Sequence, residues 1–349
     1  MREIDTLFDF SNVRGFFRAA EKCNGSGDCR KTELSGGTMC PSYMATRDEH
    51  HVTRARANIL REFLTYSLKK NPLNHEEIYE IMDLCLSCKA CKSECPSGVD
   101  VAKLKAEFLQ HYYDIHGAPF RAKVIANITT LNKLWAIFLG VANAFLKTSI
   151  FRKPFMYSIG FSTKRTLPLL QPVTLKKWMK HYQQTLPKDR KKRRIYLFND
   201  EFTNYNDTQI GIDAIRLLIY LGYDVKIPKH KESARASLSK GFLRKAKTIA
   251  EKNVSFLKDI IADETPLIGL EPSAILAFRD EYPELVSNPL KESARKIAEN
   301  TWMIDEFIVR EMDAGVISRD LFTGEEDTFY FMDIVSKKLW LQPNQRDGC

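Results

Sequence analysis

No stretch of this 349-residue chain reaches the eighteen or so apolar residues that a membrane span needs. Neither G-x-G-x-x-G nor G-x-x-x-x-G-K-[ST] occurs anywhere, so the chain has no dinucleotide or phosphate-loop fingerprint of its own. The opening Met1-Arg2-Glu3-Ile4-Asp5-Thr6 lacks the apolar segment of a secretory signal. An oxidising compartment, and disulfides with it, is therefore not indicated. The seven histidines show no metal-ligand pairing; His50 and His51 lie nearest a cysteine loop and are weak candidates as ligands. The dense basic run at 188–194 (KDRKKRR) has no interleaved aromatics and reads as a solvated linker, so no nucleic-acid partner is expected. Cysteine is absent from 96 to 348. What remains is a globular composition, 44% hydrophobic and 28% charged, on a chain long enough for two domains.

Seven of the eight cysteines stand within the first 95 residues, in two groups that each end in Cys-Pro. The second group, Cys85-Leu-Ser-Cys88-Lys-Ala-Cys91-Lys-Ser-Glu-Cys95-Pro96, has the spacing C-x2-C-x2-C-x3-C-P, by which bacterial-type ferredoxins hold an iron–sulfur cluster. The first, Cys23-Asn-Gly-Ser26-Gly-Asp-Cys29 followed after ten residues by Cys40-Pro41, is a variant with Ser26 where the second cysteine would stand. Three thiolates spaced three apart, on a loop turning into a helix, converge on three corners of a cubane. The fourth is turned away by its proline, which has no N–H and a fixed φ, and reaches the neighbouring cluster. On this reading Cys85, Cys88, Cys91 and Cys40 hold a [4Fe–4S] cluster, and Cys23, Cys29 and Cys95 serve a second site. The C-x5-C…C-P pattern resembles the three-iron motif in the iron–sulfur subunit of succinate dehydrogenases. A [3Fe–4S] cluster is expected there, the alternative being a second [4Fe–4S] cluster completed by water or Ser26. Zinc also uses C-x2-C, but seven cysteines fit two clusters better than one zinc and three spares. Cys349 stands alone and reads as a free thiol.

The pattern along the chain is mostly helical. Apolar spacing predicts a helix over 54–68, a second opened by Asn74 and early acids that delivers Cys85, and a third starting near Asp100 and closed by Gly117 and Pro119. Helices feeding Cys-Pro loops predict an α-helical ferredoxin domain over 1–117. Residues 118–193 read as a helical hairpin and a proline-punctuated linker. Within them the 13-residue apolar run 134–146, flanked by Lys147, Arg152 and Lys153, reads as a buried hairpin. An interfacial membrane helix or docking face is the alternative. From 194 to 322 an α/β domain is expected. Strands at 195–198, 223–227 and 267–270 alternate with helices at 210–221, 242–257 and 273–280, and the β-α-β spacing implies a small parallel sheet. Residues 323–349 are an atypical tail.

These segments resemble the iron–sulfur portion of FAD-linked oxidases, the flavin/iron–sulfur dehydrogenases acting on D-lactate, glycolate or D-2-hydroxyglutarate. The resemblance covers about residues 8 to 322. It rests on Cys23-Asn-Gly-Ser-Gly-Asp-Cys-Arg-Lys31, Gly37-Thr-Met-Cys-Pro-Ser-Tyr-Met-Ala-Thr-Arg-Asp-Glu49, Thr53-Arg-Ala-Arg-Ala-Asn58 and the 85–96 run. In the second half it rests on Gly269-Leu-Glu-Pro-Ser-Ala-Ile-Leu-Ala-Phe-Arg-Asp-Glu-Tyr282. The family's fused members carry an FAD domain ahead of the first cysteine group and end in a Cys-Cys-Gly segment. Only about twenty residues precede Cys23 here and no such segment follows, so a truncated or split gene product is expected.

The resemblance implies an electron-transfer module, not catalytic alone. FAD lies in a partner or missing domain, an FAD-binding oxidase, and the acceptor is a quinone, cytochrome or electron-transfer flavoprotein. A structural-cluster scaffold or an inactive fragment is the alternative. A cytoplasmic location is expected, or one peripheral to the inner face of the membrane. The net charge of +9 suits negative clusters, an acidic partner or an anionic membrane. Lys89, Lys92, Arg30 and Lys31 are local cations that could raise cluster potential, and Arg54 and Arg56 could do the same or meet the flavin partner.

Overall fold

The computed structural model describes residues 4–32, 34–185 and 193–322. The basic run at 188–194 therefore lies mostly outside the described residues, and the tail from 323 with Cys349 lies wholly outside them. The described residues form nineteen α-helices and one four-stranded sheet, in two compact units.

The first unit holds residues up to Ala118 together with Ser237–Lys247. Its helices are α1 (Phe16–Glu21), α2 (Pro41–Thr46), α3 (Thr53–Tyr66), α4 (Glu76–Asp83), α5 (Ala90–Glu94) and α6 (Val101–His116). Leu60 and Leu64 of α3, Ile78 and Met82 of α4, and Leu104 and Phe108 of α6 are buried, each pair four residues apart and so on one helical face. Asp100 caps α6 by accepting from the Lys103 N–H at 3.0 Å, and Gly117 ends it with positive φ. The expected cap at Asn74 is displaced: His75 is the N-cap of α4, and the side-chain oxygen of Asn74 meets His116 Nε2 at 2.7 Å instead. Buried Glu107 of α6 accepts from the N–H groups of Leu7 and Phe8 at 2.9 and 3.1 Å, which fastens the start of the chain to the longest helix of this unit.

The second unit holds Pro119–Ala236 and, among the described residues, 248–322. It begins with α7 (Phe120–Ala126), α8 (Ile128–Ile137), α9 (Leu139–Lys147), α10 (Ser149–Ser158) and α11 (Leu175–Thr185), so the proline-punctuated stretch contains helices of its own. The sheet region then runs β1 (Arg194–Leu197), α12 (Glu201–Tyr205), α13 (Thr208–Tyr220), β2 (Asp224–Lys226), α14 (Arg235–Ser239), α15 (Leu243–Leu257), β3 (Leu267–Gly269), α16 (Pro272–Arg279), α17 (Tyr282–Leu285), α18 (Asn288–Glu299), β4 (Thr301–Met303) and α19 (Ile304–Asp313). Strand order is β2-β1-β3-β4, all parallel, with Ile195 opposite Val225, Leu197 opposite Ile268, and Ile268 opposite Trp302. Ile195, Leu197, Val225 and Ile268 pack with Leu175 and Met179 of α11, Ile215 and Leu218 of α13, and Phe307 of α19. The mostly helical architecture with a small parallel sheet is as the sequence predicts. Strand β4 is an addition: three residues directly between two helices leave no alternation to read.

The apolar run 134–146 is not a buried hairpin. Helices α8 and α9 meet at a bend of 113°, burying Thr129, Asn132, Ala142 and Leu146 and leaving Leu134, Ile137, Phe138 and Val141 exposed. Trp135, Phe145 and Phe155 fill the inside of this corner with rings 5.4 to 6.4 Å apart, so the space for further apolar side chains is taken.

Gly269 ends β3 where an added Cβ would collide with the Cβ of Ile275, an atom that no rotamer change can move away. Gly269→Ala should therefore cost about 1–3 kcal/mol of stability, read as a lower midpoint in urea unfolding followed by circular dichroism.

Candidate metal centre

Cys40, Cys85, Cys88 and Cys91 line one cavity with about 310 Å³ of space between its atoms, part of it open to solvent. Two loops and two helix starts build it. Cys40 sits in the left-handed region (φ 57°) as the N-cap of α2, with Pro41 opening the helix. Ser87 (φ 54°) and Lys89 (φ 63°) do the same within the Cys85–Cys91 loop, and both line the cavity. Six non-glycine residues have positive φ among the described residues, and three of them surround this cavity. Such conformations cost on the order of 1–2 kcal/mol each and persist where the surroundings impose them, most often at functional sites.

The sulfurs receive backbone donors from helix starts. The Thr53 N–H donates to Cys40 Sγ at 3.1 Å, and the Thr53 hydroxyl lies 2.9 Å from the same sulfur. The next amide, of Arg54, serves Cys29; that of Ala90 serves Cys88; that of Val101 serves Cys91. The first N–H groups of a helix have no intrahelical partner, and α3 has no side-chain cap, so these sulfurs take the place of caps at its positive end. Burial nevertheless dominates. It pushes the Cys40 thiol up to about 11, raises Cys29 and Cys88, and raises Cys91 well above the usual thiol range. Neighbouring charges add to the rise: Asp100 and then Cys85 act on Cys91, Cys85 acts on Cys88, and Cys29 acts on Cys40. Burial thus favours the neutral thiol over the thiolate at each of these four cysteines. Metal ions that displace the protons would meet donors already aimed at the sulfurs.

Arg56 is buried at the cavity wall, its Nε donating to the Ile81 carbonyl at 3.2 Å and a terminal nitrogen to the Ser42 hydroxyl at 3.0 Å, both neutral acceptors. No carboxylate lines the cavity. A buried guanidinium is costly unless an anion faces it, and a thiolate-ligated cluster is one. Lys105, also buried, donates to the Cys85 carbonyl at 2.6 Å, and burial draws its ammonium below the usual lysine range. Among the described residues no three His, Cys, Asp or Glu side chains converge as they would on a single ion. Four cysteines around a cavity suit a multi-iron group, in which each thiolate takes its own iron. The donor set, the buried guanidinium and the aimed amides fit such a group.

Sequence reasoning did not single out Glu94, yet its carboxylate joins the two cysteine segments. It accepts from the Thr38 N–H at 2.8 Å, the Thr38 hydroxyl at 2.7 Å, the Met39 N–H at 3.2 Å and Lys31 Nζ at 2.9 Å. Burial raises this carboxyl, but the hydrogen bonds from Lys31 and Thr38 outweigh it and hold it below the usual range. Gly37 (φ 79°) makes the close approach possible, since a Cβ there would run into Glu94 and Lys31. The available signal was Glu94's place beside Cys95. Lys105 carried none beyond its helical register, whereas Arg56 was named from sequence as a cation and Thr53 lies in the quoted Thr53–Asn58 segment.

Cys23 and Cys29 lie near enough for their charges to interact. Cys95, half-buried, caps α5 in an extended conformation next to Glu94. Of the cations named from sequence, Arg30 and Arg54 share Glu49, Lys31 is held by Glu94, and Lys92 lies 3.8 Å from Asp100. Only Arg56 among these six is buried, so it is no helix-surface charge. His50 and His51 face Asp48 and Thr46. In the second unit the carboxyl edge of the sheet, where α/β folds commonly hold ligands, is filled by charge. Arg235 lies 2.6 Å from Glu271 and 3.6 Å from buried Glu201, which also accepts from Ser233.

Residues 22–100 match the family described as a 4Fe-4S dicluster domain. The chain is 28% identical over 313 residues to D-2-hydroxyglutarate dehydrogenase of Escherichia coli K12, a match covering 77% of this chain and 30% of that protein. It is 25% identical over 207 residues to a subunit of the anaerobic glycerol-3-phosphate dehydrogenase of the same organism, covering 58% of this chain and 50% of the relative. Against the probable glycolate oxidase iron-sulfur subunit of Bacillus subtilis 168 the identity is 22% over 309 residues, covering 82% and 67%. No solved structure matches. The resemblance to the iron–sulfur portion of FAD-linked oxidases thus holds, although the chain spans only about a third of the dehydrogenase length.

Glu94→Ala strips four donors of their acceptor. It should destabilise the first unit by roughly 2–4 kcal/mol and lower iron retained through gel filtration, measured by iron analysis beside a urea melt.

Proposed function

We propose that this chain is an iron–sulfur electron-transfer module, passing electrons from a flavin-linked 2-hydroxyacid dehydrogenase to a respiratory acceptor. One observation carries the reading. Cys40, forty-five residues before Cys85 in sequence, shares a cavity with Cys85, Cys88 and Cys91. These four would hold a [4Fe–4S] cluster. Cys23, Cys29 and Cys95 would hold a [3Fe–4S] cluster, or a second [4Fe–4S] completed by water or Ser26. The relatedness to dehydrogenase and oxidase iron–sulfur components supports an electron-transfer role. The FAD belongs to a partner subunit or a further domain, and the acceptor to the class of quinones, cytochromes or electron-transfer flavoproteins.

When bound, the clusters supply one-electron steps, by which two electrons collected by a flavin leave singly. The chain's own residues set the conditions. The amides of Thr53, Arg54, Ala90 and Val101 offset part of the burial cost of a thiolate by donating to the sulfur, and would favour the anionic form that a cluster ligates. Val101 and Ala102 on the cavity wall keep part of it dry, which strengthens every charge interaction inside. Arg56 opposes the added negative charge of reduction and so favours the reduced state.

Anaerobically purified protein should be brown and carry about seven irons per chain, with a three-iron resonance signal when oxidised. Cys40→Ala should remove the four-iron signal and leave the three-iron one. Stoichiometric zinc without acid-labile sulfide would overturn the assignment.

Arg56→Gln keeps a hydrogen-bond donor but removes the charge. At an effective dielectric of about 20, a unit charge several ångström away is worth about 2–3 kcal/mol, or on the order of 100 mV for one electron. A midpoint potential more negative by that order is expected in a redox titration of the four-iron signal, and an unchanged value would exclude Arg56 from tuning it.

A further inference from the structure

The corner formed by α8 and α9, with α10 packed on it, exposes apolar side chains that the unit's own core does not use. Ile137 is 70% exposed, Phe138 68%, Val141 73% and, at the start of α10, Ile150 76%, with Leu134 and Phe151 also on the surface. They stay outside because Trp135, Phe145 and Phe155 already close the inside of the three helices, with the exposed Phe151 ring stacked on Phe145. The charged side chains that these helices themselves carry have one sign. No Asp or Glu occurs between Asp114 and Asp189, a gap of 74 residues; at the chain's average of 44 acids in 349 residues it would hold about nine. Exposed Lys133, Lys147 and Lys153 flank the apolar corner.

A protein partner matched to such a face would have to be uniformly acidic around an apolar centre, whereas an anionic bilayer presents that arrangement everywhere. The helices are ten and nine residues long with a 113° bend between them, each about half of what a ~30 Å hydrocarbon core requires. Their geometry suits lying in the interface, with aliphatic and aromatic side chains entering the headgroup–acyl boundary and lysines reaching back to the headgroups. We propose that this face docks the chain peripherally on an anionic bilayer, Ile137, Phe138 and Val141 inserting while Lys133, Lys147 and Lys153 meet the headgroups. The proposal stands on this surface alone and is independent of the redox reading.

The test is flotation of the full, cluster-loaded chain with vesicles of equal parts phosphatidylglycerol and phosphatidylcholine, beside vesicles of phosphatidylcholine alone. Strong flotation with the first, weak flotation with the second, and weakening by salt are expected. The double variant Ile137→Asp/Phe138→Asp should bind at least about tenfold more weakly. Lys147→Gln and Lys153→Gln should each weaken binding roughly fivefold. Leu68→Asp, at an exposed position of the first unit, should bind as the wild type does. All these positions are exposed, so unchanged iron content and circular dichroism would separate lost docking from lost fold. Absence of flotation with the anionic vesicles, or flotation indifferent to the double variant or to headgroup charge, overturns the proposal. A dimer in light scattering that the double variant dissociates, without flotation, would assign the face to a second copy of the chain and equally overturn it.

Discussion

Four thiols gathered beside a buried guanidinium form an arrangement that a folded chain does not maintain without compensation. The sulfurs of Cys40, Cys88 and Cys91 are held by burial far from the anionic state, while Arg56 faces them across a cavity without a carboxylate. Each half of this arrangement is unfavourable alone: thiols that resist ionisation, and a cation with only neutral partners. A multi-iron group that draws the sulfurs to the thiolate state resolves both, because its net negative charge pairs the arginine and its irons replace the thiol protons. The rest of the first unit serves this geometry. Left-handed Cys40, Ser87 and Lys89 bend the loops inward, α3 and α6 deliver amides, Lys105 fixes the Cys85 carbonyl, and Glu94 ties the first cysteine loop to the second.

The second unit is built on another principle. Its small parallel sheet packs between helices, so β3 is short and buried at every position, while β1 buries Ile195 and Leu197 and leaves Arg194 exposed at its start. At the carboxyl ends of those strands stands an ionic cluster of Arg235, Glu201 and Glu271 rather than thiols. The described part of this unit therefore contributes no cysteine to metal binding. What it offers on its surface is the apolar, acid-free corner of α8 and α9.

The chemistry of the chain was legible from sequence because cysteine spacing is itself a geometric statement. Thiols three positions apart are nearly one helical turn apart, and Cys-Pro ends a local turn by removing a donor. Helices α3, α4 and α6 were legible for a similar reason: Leu60 and Leu64, Ile78 and Met82, and Leu104 and Phe108 repeat at the helical period. The parallel strands β1, β2 and β3 followed from their alternation with helices. Those features are local, and the sequence by itself determined them. Tertiary structure alone decided the others, because each depends on residues far apart in the chain. Whether the apolar run 134–146 is buried rests on which rings reach the inside of its corner first. Strand β4 exists because β3 offers it an edge. Glu94 is a latch only because Thr38 and Lys31, more than fifty residues earlier, come within hydrogen-bond reach. Arg56 differs from Arg54, two residues away, by facing the cysteine-lined cavity instead of Glu49, and helical phase turns that difference into burial for one and partial exposure for the other.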